Sequence, residues 1–161
     1  MITIAPLPRQ QIAKVAHLIL TEPQYPFVGE ILDMTAERDP KTDFHCGLRG
    51  KTYVGFFKID HDLSRKLPEL AVGSYGFRGL LIGGQYQGLG YGTALLSALP
   101  DYLRKTYPKM DTLWLSVDTI NTHAIGCYEK TGWTATGLER DGRSGREMIM
   151  HLDLSADQSP R

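Results

Sequence analysis

The residues best suited to chemistry form a glycine-rich turn at Gln87–Gly92, in which Gly88, Gly90 and Gly92 alternate with larger residues. A strand-like apolar segment precedes the turn, and a segment with helical spacing follows it. The first N–H groups of a helix have no intrahelical partner and lie at the positive end of the helix dipole. Because glycine lacks a Cβ, an anion can approach this main chain closely. The strand–turn–helix unit therefore predicts a phosphate or pyrophosphate site.

Three nucleotide-binding motifs are candidates for this turn. A P-loop requires a Lys after its last glycine, whereas Thr93 follows Gly92 in this chain. A dinucleotide-binding fingerprint requires G-x-G-x-x-G, whereas the spacing here is G-x-G-x-G. The third pattern, Q/R-x-x-G-x-G/A, is matched by Gln87–Gly92. A glycine-rich turn that binds no ligand is the remaining interpretation of this segment taken alone.

Composition restricts the possible function classes. The chain has 161 residues, of which 42% are hydrophobic and 22% charged, as expected for one globular domain. Equal numbers of acidic and basic residues give zero net charge, so we do not expect nucleic-acid binding. Cys46 and Cys127 lack C-x-x-C spacing, which predicts two free thiols and no zinc site. No apolar segment reaches the roughly 18 residues of a membrane span, and the N-terminus does not resemble a signal peptide. A cytoplasmic protein is expected.

The elements that position the turn can be predicted from hydrophobic spacing. Strand-like segments occur at residues 2–4, 44–49, 52–60, 75–82, 112–117, 133–139 and 147–154. Helical spacing occurs at residues 9–20, 28–36, 90–105 and 121–130, and Pro100 predicts a kink in the third of these helices. Residues 61–69 are predicted to form a polar loop. This order favours a single α+β or α/β domain over residues 1–154, followed by a disordered polar tail at 155–161.

A second motif begins at Asn121, beyond the predicted helix and the following strand. The segment Asn121–Trp133 fits N-x-x-A-x-x-x-Y-x-x-x-G-F, with Trp133 in place of Phe. With the glycine turn before it, the chain resembles the GNAT superfamily of N-acetyltransferases from about Tyr75 to Leu154. The resemblance implies one α+β domain: a mixed, mostly antiparallel sheet of six or seven strands flanked by about four helices. It also implies that the strand at 75–82 diverges from the strand at 112–117 and opens a V-shaped slot.

The resemblance implies acetyl transfer from acetyl-CoA to an amine, with no metal. The glycine turn would hold the pyrophosphate, the strand end would pair with the pantetheine amides, and a backbone N–H near Leu81 or Ile82 would stabilise the oxyanion. Asn121, a good N-cap residue, would also contact the pantetheine arm. The implied cofactor-binding residues are Leu80, Leu81, Ile82, Gln87, Gly88, Leu89, Gly90, Tyr91, Gly92, Thr93 and Asn121.

Tyr128 occupies the position of the family's general acid. A phenol with a pKa of about 10 stays protonated at neutral pH and can protonate a departing thiolate. Without the family, simple packing would be the ordinary interpretation of this tyrosine. The general base remains open between a water chain and four candidates placed only by rough position, which are His45, Glu69, Tyr75 and Asp118.

The acceptor is expected to contact the segment between the first two helices. Its aromatic rings and carboxylates suit a small cationic amine, and a solvated surface is the alternative; these residues are Tyr25, Phe27, Glu30 and Asp33. A weaker resemblance, carried by Arg78–Gly88 and the end of the chain, points to bacterial diamine and polyamine acetyltransferases. Those enzymes usually have Asp where this chain has Gly83, which puts that specificity in doubt.

Other functions remain open at this point. They are acetylation of a protein N-terminus or lysine, a non-catalytic acyl-CoA sensor, and a structural protein whose glycine turn binds no ligand. Dimers are common in the family, so a homodimer is one expectation.

Overall fold

The computed structural model describes residues 1–18 and 31–155. Seven strands form one mixed sheet in the order β1-β2-β3-β4-β5-β7-β6. These strands are β1 (Ile2–Pro6), β2 (Thr42–Arg49), β3 (Thr52–Asp60), β4 (Tyr75–Ile82), β5 (Thr112–Asp118), β6 (Thr134–Gly142) and β7 (Gly145–Asp153). Only the β4–β5 pair is parallel among the described strands. The predicted α+β fold with a mostly antiparallel sheet is confirmed.

The helices described lie on both faces of the sheet. The α-helices are α1 (Ile31–Thr35), α2 (Tyr91–Thr106) and α3 (Thr122–Lys130), and the 3-10 helices are Arg9–Val15, Leu63–Arg65 and Gly84–Tyr86. Helix α2 continues through Pro100 to its end at Thr106. Within the described residues, no helix combines the length and apolar character needed to cross a bilayer.

The first predicted helix was wrong in type. The segment Arg9–Val15 is a 3-10 helix, and residues 19 and 20 lie outside the described residues. Its apolar residues Ile12, Val15 and Leu18 are spaced by three, which matches the three residues per turn of a 3-10 helix. Val15 and Leu18 are fully buried, and the Leu18 N–H donates to the Val15 carbonyl. Packing of this three-residue repeat onto the sheet therefore overrides the weaker α-helical pattern.

Two layers of apolar side chains cover the sheet. Helices α2 and α3 pack on one face, where Leu95, Leu99, Leu113 and Leu115 are almost fully buried. The opposite face is covered by α1 and the 3-10 helix Arg9–Val15 over its first strands. Residues 61–69 are not simply a polar loop. Three leucines of the segment 63–70 pack against Trp114 and Ile149, and so extend this second layer across β5 and β7.

The sheet opens between β4 and β5. These strands pair only at Tyr75–Leu113 and Gly76–Trp114, and the residues that follow in each strand do not pair with each other. Strand β4 also contains a bulge, because Phe56 of β3 pairs with Leu81 while Lys58 pairs with Arg78. Gly79 lies in this bulge with φ of +65°, a conformation that side chains other than glycine rarely adopt. The predicted V-shaped slot is therefore present, and it begins beside the bulge.

Candidate active site

The opening between β4 and β5 leads into a cavity of about 460 Å³ on the face of the sheet covered by α2 and α3. All of the sequence-predicted cofactor residues except Leu89 line this cavity, together with Tyr128. The Leu89 side chain is 61% exposed on the turn. One cavity therefore brings together the end of β4, the glycine turn and the start of α3.

The glycine turn presents an uninterrupted row of donors. Within the described residues, the backbone N–H groups from Gly88 to Thr93 have no acceptor; the first helical bond of α2 is from Ala94 N–H to the Gly90 carbonyl. Gly88 and Gly90 have φ values of +77° and +82°, and a Cβ on either would project into open space. Unpaired N–H groups on a bare main chain at a helix start fit a pyrophosphate.

The Gln87 side chain supports the shape of this turn. Its Nε2 donates to the Ile82 carbonyl over 2.8 Å, which ties the turn to the end of β4. Gln87 therefore holds the donor row beside the strand end, where the pantetheine arm is expected. A direct contact from Gln87 to the pyrophosphate stays a prediction.

Helix α3 contributes the opposite wall of the cavity. Asn121 caps this helix by accepting from the Ala124 N–H over 3.4 Å, as predicted. Several residues that line the cavity were not predicted from the sequence: Tyr86, Leu96, His123, Ala124 and Cys127. Ala124 and Cys127 are three residues apart, and Tyr128 is four from Ala124, so helical spacing from Tyr128 is the signal that could have found them.

Tyr128 is a buried phenol that lines the cavity. Its side chain is 9% exposed and packs against the rings of Phe77 and Trp133. Within the described residues, its hydroxyl has no hydrogen-bond partner. Burial raises the pKa of the phenol above its ordinary value of 10. Tyr128 therefore keeps its proton at neutral pH.

Two of the four candidate bases lie elsewhere. His45 is 2% exposed, and both ring nitrogens bond to tyrosine hydroxyls, to Tyr102 over 2.6 Å and to Tyr107 over 2.8 Å. Burial lowers the pKa of His45 to about 4. Tyr75 begins β4, and its ring contacts those of His61 and Tyr107. Both candidates belong to a cluster at the opposite end of β4 from the glycine turn, so they are poorly placed to act in the cavity.

The other two candidates lie on the sheet face opposite α2. Arg140 joins Glu69 and Glu147, with distances of 3.2 Å to each carboxylate. The Ser116 hydroxyl donates to Glu147. Asp118 lies opposite Glu147 in the register of strands β5 and β7. Asp118 is 9% exposed. Burial and the charge of Glu147 raise the pKa of Asp118, while Arg143 lowers it.

A sequence profile of the Acetyltransferase (GNAT) family matches residues 12–133, which is more than half of the chain. This chain belongs to the GNAT family of acetyltransferases. Members of the family transfer an acetyl group from acetyl-CoA to an amine, so this GNAT protein is an acetyl-CoA-dependent N-acetyltransferase.

Solved structures share the fold of this GNAT protein at low sequence identity. Aminoglycoside acetyltransferase AAC(6')-Ib in complex with coenzyme A has a TM-score of 0.75 at 19% identity, covering 95% of each chain. A ribosomal-protein alanine N-acetyltransferase from Escherichia coli has a TM-score of 0.67 at 20% identity, covering 100% of this chain and 99% of its own. A variant of the spermidine N-acetyltransferase SpeG from Vibrio cholerae has a TM-score of 0.65 at 17% identity, covering 95% of each chain. A comparison with curated protein sequences gave no match.

The sequence-predicted acceptor residues are only partly within the described structure. Tyr25, Phe27 and Glu30 lie outside the described residues. Asp33 is exposed on α1, beside Met34, whose Cε would come within 3.2 Å of a Cβ at Gly79. Helix α1 of the GNAT fold therefore lies over the β4 bulge, on the face opposite the cavity. This places Asp33 on the side of the sheet that also carries Asp118.

Proposed function

We propose that this GNAT protein acetylates the primary amine of a small molecule, such as a diamine, a polyamine or another amine metabolite. The observation that carries the catalytic part is the cavity that combines the unpaired donors from Gly88 to Thr93 with the buried Tyr128 phenol. On the opposite face, Glu69 and Glu147 share Arg140, and the carboxylate of Asp118 beside them supports a cationic acceptor. Two of the similar structures carry the names of aminoglycoside and spermidine acetyltransferases.

The proposed mechanism divides the work among the elements of the cavity. Acetyl-CoA supplies an activated thioester when bound. The turn from Gly88 to Thr93 holds the pyrophosphate, and the free edge of β4 at residues 80–82 aligns the pantetheine arm. Because β4 leaves β5 after Gly76, backbone N–H groups of this edge are available to the carbonyl oxygen as negative charge develops there. Tyr128 gives its phenolic proton to the departing sulfur.

Acetylation of a protein N-terminus or lysine is the second candidate. The fold similarity to the ribosomal-protein alanine N-acetyltransferase keeps this candidate in view. A panel of small primary amines run against a panel of peptides separates the two, with thiol release as the readout. Faster release with amines supports the proposal, and turnover restricted to peptides contradicts it.

We extend the proposal to the cellular location and the oligomeric state of the protein. The free thiols of Cys46 and Cys127 are compatible with a reducing cytoplasm. A homodimer, a domain over residues 1–154 and a disordered tail stay predictions; residues 156–161 lie outside the described structure. Sedimentation velocity tests the assembly.

The first experiment is calorimetric titration with acetyl-CoA. Wild-type protein should bind, and Gly90→Glu should lose binding because a carboxylate would project from the donor row. Gly73→Glu is the matched control, since Gly73 also has a positive φ and open space around it but lies away from the cavity. Failure of folded wild-type protein to bind acetyl-CoA, or unchanged binding by Gly90→Glu, would contradict the proposed site. Such a failure would favour the ligand-free turn, whereas binding without transfer to any acceptor would favour the sensor.

A further inference from the structure

We propose that Asp118 binds the ammonium group of the acceptor amine and accepts its proton, which deepens the proposed function and rests on it. Several carboxylates lie on the sheet face opposite α2, called the acceptor face below, and Asp118 is one of them. The assignment rests on the position of Asp118 in the sheet, on its missing partners and on the charges around it.

Asp118 stands at the end of β5, where β5 has already separated from β4. Pairing between these strands stops at Gly76 and Trp114, so Asp118 lies along the open part of the slot. Asn121, which follows Asp118 by three residues and caps α3, donates its backbone N–H to the Asp118 carbonyl and lines the cavity. The end of β5 is thus directly connected to the cofactor wall.

Alternation along β5 places acid and base on opposite faces of the sheet. Val117 belongs to the same apolar cluster as Tyr128, on the α2 and α3 face. Asp118 follows Val117 and faces the other way, with Ser116 and Trp114. A proton donor on one face and a carboxylate on the other flank the gap between β4 and β5. An amine approaching from the acceptor face therefore meets Asp118 before it reaches the cavity.

Asp118 differs from its neighbours in having no partner. Glu147 accepts from the Ser116 hydroxyl and from Arg140, and Glu69 is also bound by Arg140. Within the described residues, no hydrogen bond or salt bridge reaches the Asp118 carboxylate, although its residue is only 9% exposed. The Asp118 oxygens are not among the sealed side-chain atoms of the described residues, so they are open to a ligand. An ammonium group supplies both the positive charge and the N–H donors that are missing.

The surrounding charges favour Asp118 as a proton acceptor. Burial and the adjacent charge of Glu147 raise its pKa, with Arg143 opposing them. A carboxylate with a raised pKa accepts a proton more readily near neutral pH. Arg140 and Ser116 hold Glu147 in place, so Glu147 is a positioning residue that keeps a negative charge beside Asp118.

The proton balance of the step is complete. The ammonium gives one proton to Asp118, which later releases it to solvent. The neutral nitrogen forms its bond to the acetyl carbon as the carbon–sulfur bond breaks, and Tyr128 protonates the sulfur. The second proton of the acylated nitrogen returns to Tyr128 through water, so both side chains end as they began.

Asp118→Asn tests the assignment because it keeps the shape and removes the charge. The matched control is Asp111→Asn, an exposed aspartate just before the other end of β5. Binding of 1,4-diaminobutane to protein saturated with coenzyme A is measured by calorimetry, together with acetyl-CoA binding and thermal unfolding. We expect Asp118→Asn to weaken diamine binding by at least about 10-fold, the loss of one charge-assisted contact, while acetyl-CoA binding stays within about twofold.

A turnover assay adds a readout that a purely structural role would not move. For any amine that the wild type acetylates, Asp118→Asn should lower kcat/KM and abolish the acidic limb of its pH profile. Glu147→Gln should keep that limb and shift it to lower pH, because it removes the charge that raises the pKa of Asp118. The Asp111→Asn profile should match the wild type.

The outcomes separate the two proposals. Wild-type turnover with an unaffected Asp118→Asn overturns the role of Asp118 and leaves the proposed function standing. Absence of turnover with every amine overturns the proposed function, and diamine binding then still decides whether Asp118 binds ammonium. Wild-type protein that does not bind the diamine, or equal losses in Asp118→Asn and Asp111→Asn, overturns the assignment.

Discussion

Acidification should weaken the fold through one buried histidine. The Tyr107 hydroxyl donates to Asp43, so its oxygen accepts from His45 Nε2–H, and His45 Nδ1 must accept from the Tyr102 hydroxyl. This chain of donors requires the neutral imidazole in a single tautomer. A proton on Nδ1 would place a positive charge in a site that is 2% exposed, and the Tyr102 hydroxyl would have to turn away and lose its acceptor.

The magnitude follows from the shift in the His45 pKa. Burial, opposed by the charge of Asp43 and assisted by that of His61, lowers this pKa from an ordinary 6.5 to about 4. Between these two values the unfolded chain binds more protons than the folded protein, so the free energy of unfolding falls as pH falls. The full difference is about 3 kcal/mol at 1.36 kcal/mol per pKa unit, and about 2 kcal/mol of it is lost between pH 7.5 and pH 5. The carboxyl groups of Glu37 and Asp43 have lowered pKa values, so they contribute mainly below this window.

Urea unfolding at pH 7.5 and pH 5.0 and constant ionic strength measures the effect, with tryptophan fluorescence as the signal. His45→Gln should be less stable than the wild type at pH 7.5, yet should lose about 2 kcal/mol less on acidification. His17→Gln is the matched control, because His17 is exposed, and it should keep the wild-type dependence. An identical loss in wild type and His45→Gln would refute the buried neutral histidine as the cause.

Two further predictions concern the cavity and the slot. Tyr128→Phe should lower kcat by about 100-fold and leave the acetyl-CoA Kd nearly unchanged, because only the proton donor is removed. Steady-state kinetics measures kcat, and calorimetry measures the Kd. Unchanged turnover would exclude Tyr128 as the acid. Gly79→Ala should cost about 1–2 kcal/mol in urea unfolding, since the φ of +65° disfavours a Cβ that would also press on Met34. Gly73→Ala, at a positive φ in open space, should cost only the backbone part. A Gly79→Ala protein as stable as the wild type would contradict the bulge conformation.

The lining of the cavity could largely be predicted because its physics is local. Unpaired N–H groups at the start of α2, glycines that leave the main chain bare and an Asn that caps α3 all depend on residues close together in sequence. Ala124 lies four residues before Tyr128, and Cys127 lies three residues after Ala124. Helical spacing therefore indicates these two cavity residues as well. The 3-10 helix Arg9–Val15 was mispredicted, because packing against the sheet decides between two helix types whose periods differ only slightly.

The acceptor side could not be predicted in the same way. Rough position offered His45 and Asp118 as equal candidates for the base. His45 is hydrogen-bonded to Tyr102 and Tyr107, 57 and 62 residues away, and no local pattern reveals this burial. Asp118 acquires its surroundings because β7 inserts between β5 and β6, which brings Glu147 beside it.

The amino-acid sequence by itself determined the order of strands and α-helices from residue 31 onward, the donor row of the glycine turn and the position of Tyr128 in the motif. These features follow from side-chain period, backbone freedom and unpaired helix-end groups, which act over a few residues. Only the tertiary structure decided which titratable groups face the slot and which are sealed in the core. Strand order and burial set those environments, and they depend on contacts between residues far apart in the chain.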